Sequence, residues 1–201
     1  LVSSIRFGTI AAALALPFAM SGCALIGGGS TPLDTYELTA PGGGESAPRS
    51  RTQILIAEPA ALKALDGQNI VIKPAAGSIQ YLKGAQWADR LPRVVQARLA
   101  EAFQRSGRFG GVGKPGEGLA IDYQVISEVR AFEVRVAGAA QAHVEIFVRV
   151  LNDRNGVVRA QRSFSASAPV SGAGNDAYIG ALDRAFGQVA AEIVAWTDTR
   201  I

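Results

Sequence analysis

One cysteine, one histidine, one methionine and two tryptophans are all that this chain of 201 residues carries of those types. A lone cysteine rules out an internal disulfide, so the fold must rest on its core. A lone histidine, His143, is too few for the usual zinc centre, which takes about three or four protein ligands. It is also the only ordinary base for a serine nucleophile. Gly-x-Ser-x-Gly is absent, and Ser171-Gly172 lacks the glycine that would precede the serine in such an elbow. Charge is sparse and scattered: 20 Lys and Arg against 17 Asp and Glu, a net of +3. No basic run of the kind that grips nucleic acid occurs. Asp122, Glu128 and Glu133 read as solvated strand or loop residues. No apolar run reaches the roughly twenty residues of a membrane-spanning helix. Gly111-Val112-Gly113-Lys114 has the tail of a phosphate-binding loop, but Arg108 stands where its first glycine belongs. Pro115 follows the lysine and removes an amide donor, so the stretch reads as a surface loop. The expectation is a protein that is not an enzyme and holds no metal.

The lone cysteine sits in a telling place. Arg6 gives a short positive start, Phe7 to Met20 an apolar middle interrupted by Pro17, and Ser21-Gly22 a small-residue approach to Cys23. This is the layout of a secretory leader whose cleavage point abuts a thiol. Met20-Ser21-Gly22-Cys23 resembles a bacterial lipobox. The resemblance implies diacylglyceration of Cys23 and cleavage before it. Residues 1–22 are then a lipoprotein signal peptide. Residues 23–32, rich in glycine and ending Ser30-Thr31-Pro32, form a lipidated flexible tether, and residues 33–201 form one domain. The only non-protein group expected is covalent lipid on Cys23.

Within the domain, Tyr36 and Leu38 alternate with polar neighbours in a short strand. Thr52–Ala57, Asn69–Lys73 and Ser78–Leu82 are compact apolar runs that read as strands. Leu91, Val95, Leu99 and Phe103 share one helical face. Pro92 is acceptable in that helix only in its first turn. Asp89 is positioned to cap its start, and Gly107 to end it. Gly107–Gly118 reads as a glycine-rich loop. Leu119 to Val125 alternates as a strand, and Ala142 to Val150 alternates as another. Asn152-Asp-Arg-Asn-Gly156 predicts a hairpin turn joining the strand at 140–151 to one at 157–168. Ile179, Leu182, Phe186, Val189, Ile193 and Trp196 mark a closing helix. The pattern predicts an α+β fold, a mainly antiparallel sheet with two long helices packed on one face.

Aromatic residues at element ends either pack or form a docking rim. Tyr36, Leu38, Tyr81, Trp87, Leu91 and Pro92 are the candidates for partner docking or packing. The stretch from Ile79 through Tyr81, Trp87, Leu91-Pro92, Val95 and Leu99 to Phe103 resembles the ABC-type transport auxiliary lipoprotein family, which includes the paraquat-inducible protein C group. So do Tyr36-x-Leu38, the hairpin at Asn152–Gly156 and the last helix. The resemblance runs over residues 33–198 and the lipobox.

It implies a non-enzymatic role beside an ATPase, a permease and a membrane-anchored MCE-domain protein, which together move lipids or other apolar molecules between the inner and outer membranes. The lipoprotein would sit on the periplasmic side of the envelope, held through Cys23, with homo-oligomerisation left open. Ala24 follows the cysteine where the enteric retention rule wants aspartate, which favours the outer membrane. The alternative is a structural or regulatory envelope lipoprotein, for example an activator of cell-wall synthesis.

Overall fold

The structure, a computed structural model, describes residues 32–42 and 50–201. The leader, Cys23 and the tether up to Thr31 lie outside the described residues. Pro32–Ile201 forms one compact unit, which is what the rest of the description concerns.

Three long strands make its backbone: β7 (Tyr123–Arg135), β8 (Gln141–Asn152) and β9 (Val158–Pro169). They form an antiparallel meander in register from Tyr123↔Asn152 and Leu151↔Val158 at one end to Arg135↔Gln141↔Pro169 at the other. The β8–β9 turn closes as its Asn-Gly step demands: Asn155 Oδ1 accepts from Val157 N at 3.0 Å, and Gly156 takes φ +70°. Every second residue of β8 (Ala142, Val144, Ile146, Val148, Val150) is wholly buried. That is the period-two pattern of a sheet with one face on the core.

The other edge of β7 is shared end to end. β2 (Gln53–Ile56), β3 (Ala60–Ala61) and β4 (Asn69–Lys73) pair with it in turn, all parallel. β5 (Gln80–Trp87) adds antiparallel to β4, and β1 (Asp34–Tyr36) adds parallel to β5. β6 (Gly111–Gly113) adds parallel to β2. The sheet is therefore mixed, not mainly antiparallel as the sequence pattern predicted. The reason is physical: a short strand's pattern records which face is buried, not its direction. Direction here is set by crossovers that return β2, β3 and β4 to the same edge.

Helix α1 (Leu91–Arg105) and helix α2 (Gly174–Asp198) cover one face, α2 across β8 and β9 and α1 against β2, β6 and α2. Ile179, Leu182, Phe186, Val189 and Ile193 of α2 meet the inward row of β8, and Trp196 packs edge-on to Phe164 at 5.3 Å. Burial of one such side chain is worth about 1.5–3 kcal/mol. Pro92 sits in the first turn of α1, and Gly107 takes φ +60° just past its end. The start differs from expectation. Arg90, not Asp89, is the N-cap, and no side chain caps the helix. Asp89 Oδ1 accepts from Arg90 N at 2.6 Å instead. Arg90 is held from the other side by ion pairs to Asp66 and Glu58.

Other boundaries moved too. The strand expected at Leu119 begins at Tyr123 and continues to Arg135, and the one expected to end at Leu82 reaches Trp87. β6 lies inside the stretch read as loop. A bulge on β7, with Val129 opposite Ile146 but Ala131 opposite Glu145, makes Arg130 the extra residue. It shifts the inward-facing phase from Val125 and Val129 to Phe132 and Val134.

Candidate functional site

The six sequence-nominated residues divide by environment. Leu38, Trp87 and Leu91 are 1–2% exposed, and Pro92 is buried beside them. Trp87 stands edge-on to Phe132, with centroids 5.6 Å apart and planes at 87°. Its backbone N donates to Gln68 O at 2.8 Å. These four side chains are core. Tyr81 is different: it projects from β5 with 46% of its surface exposed, close in sequence to Ile79 at 48%.

Tyr36 belongs to a clasp where the chain enters the domain. Its hydroxyl donates to Asp176 Oδ1 at 2.7 Å. Three residues on, Thr39 gives its backbone N and its hydroxyl to the two oxygens of Asp183, at 2.7 and 2.6 Å. Both aspartates lie on α2. Asn175 adds a bond to Lys83 O at 3.2 Å, and Arg98 of α1 pairs with Glu37 at 2.7 Å. Giving up the bond to Asp176 is unfavourable for the phenol, and burial and the Asp176 and Asp34 charges act the same way. Its pKa is pushed up to about 12. The entry segment 36–39 is thus held to both helices by side chains.

Sequence reasoning missed a second cluster. Glu133 is 3% exposed, not solvated. Lys73 Nζ meets its Oε2 at 3.0 Å, and Arg135 Nε meets its Oε1 at 2.9 Å. Lys73 reaches it because β4 pairs with β7 in parallel, with Val71 opposite Glu133. The cluster floors a cleft of about 420 Å³ walled by Ala75, Ala76, Ala137 and Ala139. Arg135 stands two residues from Glu133 in the sequence, but sixty residues separate Glu133 from Lys73. Asp122 is also engaged: Gln53 N and Arg154 hold its carboxylate, and these bonds push its pKa down.

The face of the sheet away from the helices carries polar cross-strand pairs. His143 Nδ1 lies 3.0 Å from Ser167 Oγ, and Ser163 Oγ donates to Glu145 at 2.8 Å. Arg130 stacks over Phe147 at 4.2 Å. Partial burial, helped by the Arg135 charge, pulls the His143 pKa down. Among the described residues no three His, Cys, Asp or Glu side chains gather as a metal set. No described helix is long and apolar enough to cross a membrane.

The sequence matches the family model of the ABC-type transport auxiliary lipoprotein component over residues 36–194, which spans the clasp, α1, most of α2 and every strand from β2 to β9. The chain belongs to that family. Auxiliary lipoprotein components of this kind are parts of transport systems, not a known family of enzymes. The crystal structure of protein XCC0632 from Xanthomonas campestris is similar at TM-score 0.74 and 28% identity, covering 83% of this auxiliary lipoprotein and 95% of that chain. The hypothetical protein CT253 from Chlamydia trachomatis shares the fold, with TM-score 0.53 at 10% identity over 75% of this chain and 98% of that one. An uncharacterized protein of Bradyrhizobium diazoefficiens, bll6063, is 28% identical over 184 residues, covering 89% of this chain. The auxiliary lipoprotein spans about half (49%) of that relative's length.

Proposed function

We propose that this auxiliary lipoprotein is the envelope-side component of an MCE-type ABC transport system that moves lipids or other apolar molecules between the inner and outer membranes. Residues 1–22 direct export and are removed. Cys23 carries the acyl chains, residues 23–32 are the tether, and the domain faces the periplasm from the outer membrane. The observation that carries the reading is the family match over residues 36–194, and Met20-Ser21-Gly22-Cys23 supports it from the other end of the chain.

The physical logic is that each methylene of an acyl chain costs about 0.8 kcal/mol to expose to water. Apolar cargo therefore needs a covered path across the periplasm, and the conduit needs a fixed end at the membrane. A tethered docking domain supplies that end. Energy from ATP enters through the ATPase, so this chain needs no chemistry of its own. Two or three acyl chains hold it stably, whereas one alone binds only marginally.

The test is affinity purification of the full-length protein from native membranes, with mass spectrometry of Cys23. Recovery of an MCE-domain protein and its permease, with acylated Cys23 at the amino terminus, is the expected result. An unmodified thiol with the leader attached would remove the anchoring step. Absence of both transport partners, with Cys23 acylated, would remove the MCE assignment and leave the family role.

A further inference from the structure

Three turns gather at one end of the sheet, where β4, β7 and β9 finish and β5 and β8 begin. The sequence around each is free of charge: residues 74–82, 136–144 and 163–175 contain no Asp, Glu, Lys or Arg. At the chain's average of 18% charged residues, segments of this combined length would carry about six. Surface turns are normally polar. Ala75, Ala76, Gly77, Ala137, Gly138, Ala139, Gly172 and Ala173 are exposed there, with Ile79 and Tyr81 beside them.

The opposite end has the reverse character, with Arg51, Arg108, Asp122, Asp153, Arg154 and Asp198. Behind these turns Glu133 is shared by Lys73 and Arg135, whose side chains are 33% and 42% exposed, and Arg184 of α2 reaches Pro169 O at 2.8 Å.

The chain enters from this same side. β1 runs parallel to β5, so its first residue, Asp34, points toward the neutral turns, and Tyr36 is clasped to the first turn of α2. Nine residue steps separate Cys23 from Pro32, a reach of about 30 Å at full extension.

We propose that the neutral end is a membrane-contact surface, which rests its turns on the interface of the bilayer that holds Cys23 and so fixes the domain's orientation. This rests on the lipidated reading of Cys23. Small neutral turns displace little headgroup water, and Ile79 and Tyr81 supply side chains of the type that settles at the interface. Such contact is weak in free solution. The short tether raises the effective concentration enough to make it prevail. A periplasmic partner would then meet the charged end and the flanks.

The test couples the mature chain, from Cys23 onward, through its single thiol to maleimide-headgroup lipid in vesicles of phosphatidylethanolamine and phosphatidylglycerol. Chemical attachment makes the result independent of whether cells acylate Cys23, so the two readings fail separately. Tryptophan probes are placed singly at Ala76, Ala137 and Asn155, with folding checked by circular dichroism. With brominated lipids, Ala76→Trp and Ala137→Trp should lose most of their probe emission and Asn155→Trp should keep it. Equal quenching at the three sites, or none at Ala76 and Ala137, overturns the proposal. So does silence of those probes on vesicles combined with loss of transport in cells from Ala76→Asp or Ala137→Asp. That result would assign the neutral end to a protein partner.

Discussion

Glu133 offers the sharpest quantitative prediction. Its carboxylate is 4% exposed, while Lys73 and Arg135 are 33% and 42% exposed. The cations can turn to water if the acid is removed; the acid cannot. Lys73→Ala or Arg135→Ala alone leaves Glu133 one charged partner and costs about 1 kcal/mol. The double substitution leaves a buried carboxylate with neither cation, and such breaks cost about 3–5 kcal/mol. The pair is therefore non-additive by about 1–3 kcal/mol, out of a total stability of about 5–15 kcal/mol for a domain. Adding Glu133→Gln to the double variant removes the stranded charge and should recover most of the loss. Urea unfolding followed by far-ultraviolet circular dichroism measures all five proteins. A double-variant loss equal to the sum of the singles, with no recovery from Glu133→Gln, would refute the account of Glu133 as a buried charge dependent on two neighbours.

Trp87→Ala should cost about 3–5 kcal/mol in the same assay, because Trp87 fills the core against Phe132; unchanged stability with lost partner binding would reverse its assignment to packing. Gly110→Ala should cost about 1–3 kcal/mol, since a Cβ there meets the Arg51 backbone and Ser50 O at 2.8 Å, and an unshifted unfolding midpoint would show that this approach relaxes freely. Tyr36 has a raised pKa, so its contribution is present below its unfolded value of 10 and is lost as pH climbs through about 12. Melting temperatures of Tyr36→Phe should therefore fall less over that window than those of the native protein. His143 has a lowered pKa, so its contribution is present above its unfolded value of 6.5 and disappears on acidification; His143→Gln should blunt that acid loss in a pH series of thermal melts.

Legibility in the sequence followed the range of the interactions involved. The β8–β9 hairpin was readable because alternation at Ala142–Val150 and the Asn155-Gly156 step are local. Both helices were readable from the spacing of Leu91, Val95, Leu99 and Phe103, and of Ile179, Leu182 and Phe186. The direction of β2, β3 and β4 was not, because it depends on which edge of a strand sixty residues later accepts them. β6 was hidden because Gly111-Val112-Gly113 has turn-forming composition and becomes a strand only against Gln53–Leu55. Glu133 was misread for the same reason as β4's direction. Tyr36 and Trp87 are both aromatic residues near element ends, and only neighbours supplied by α2 and β7 separate a clasp from a core side chain.

The shared edge of β7 also orders events as the polypeptide emerges. β2, β3 and β4 lack the strand that joins them until residues 123–135 arrive. Before that the first half can make only pairs of its own, β4 with β5, β1 with β5 and β2 with β6, so the whole sheet consolidates late. Such late closure of the sheet would suit the unfolded export that the proposed lipoprotein reading requires. It also makes the β7–β9 meander the segment whose early damage would leave the most apolar surface stranded for proteases and aggregation.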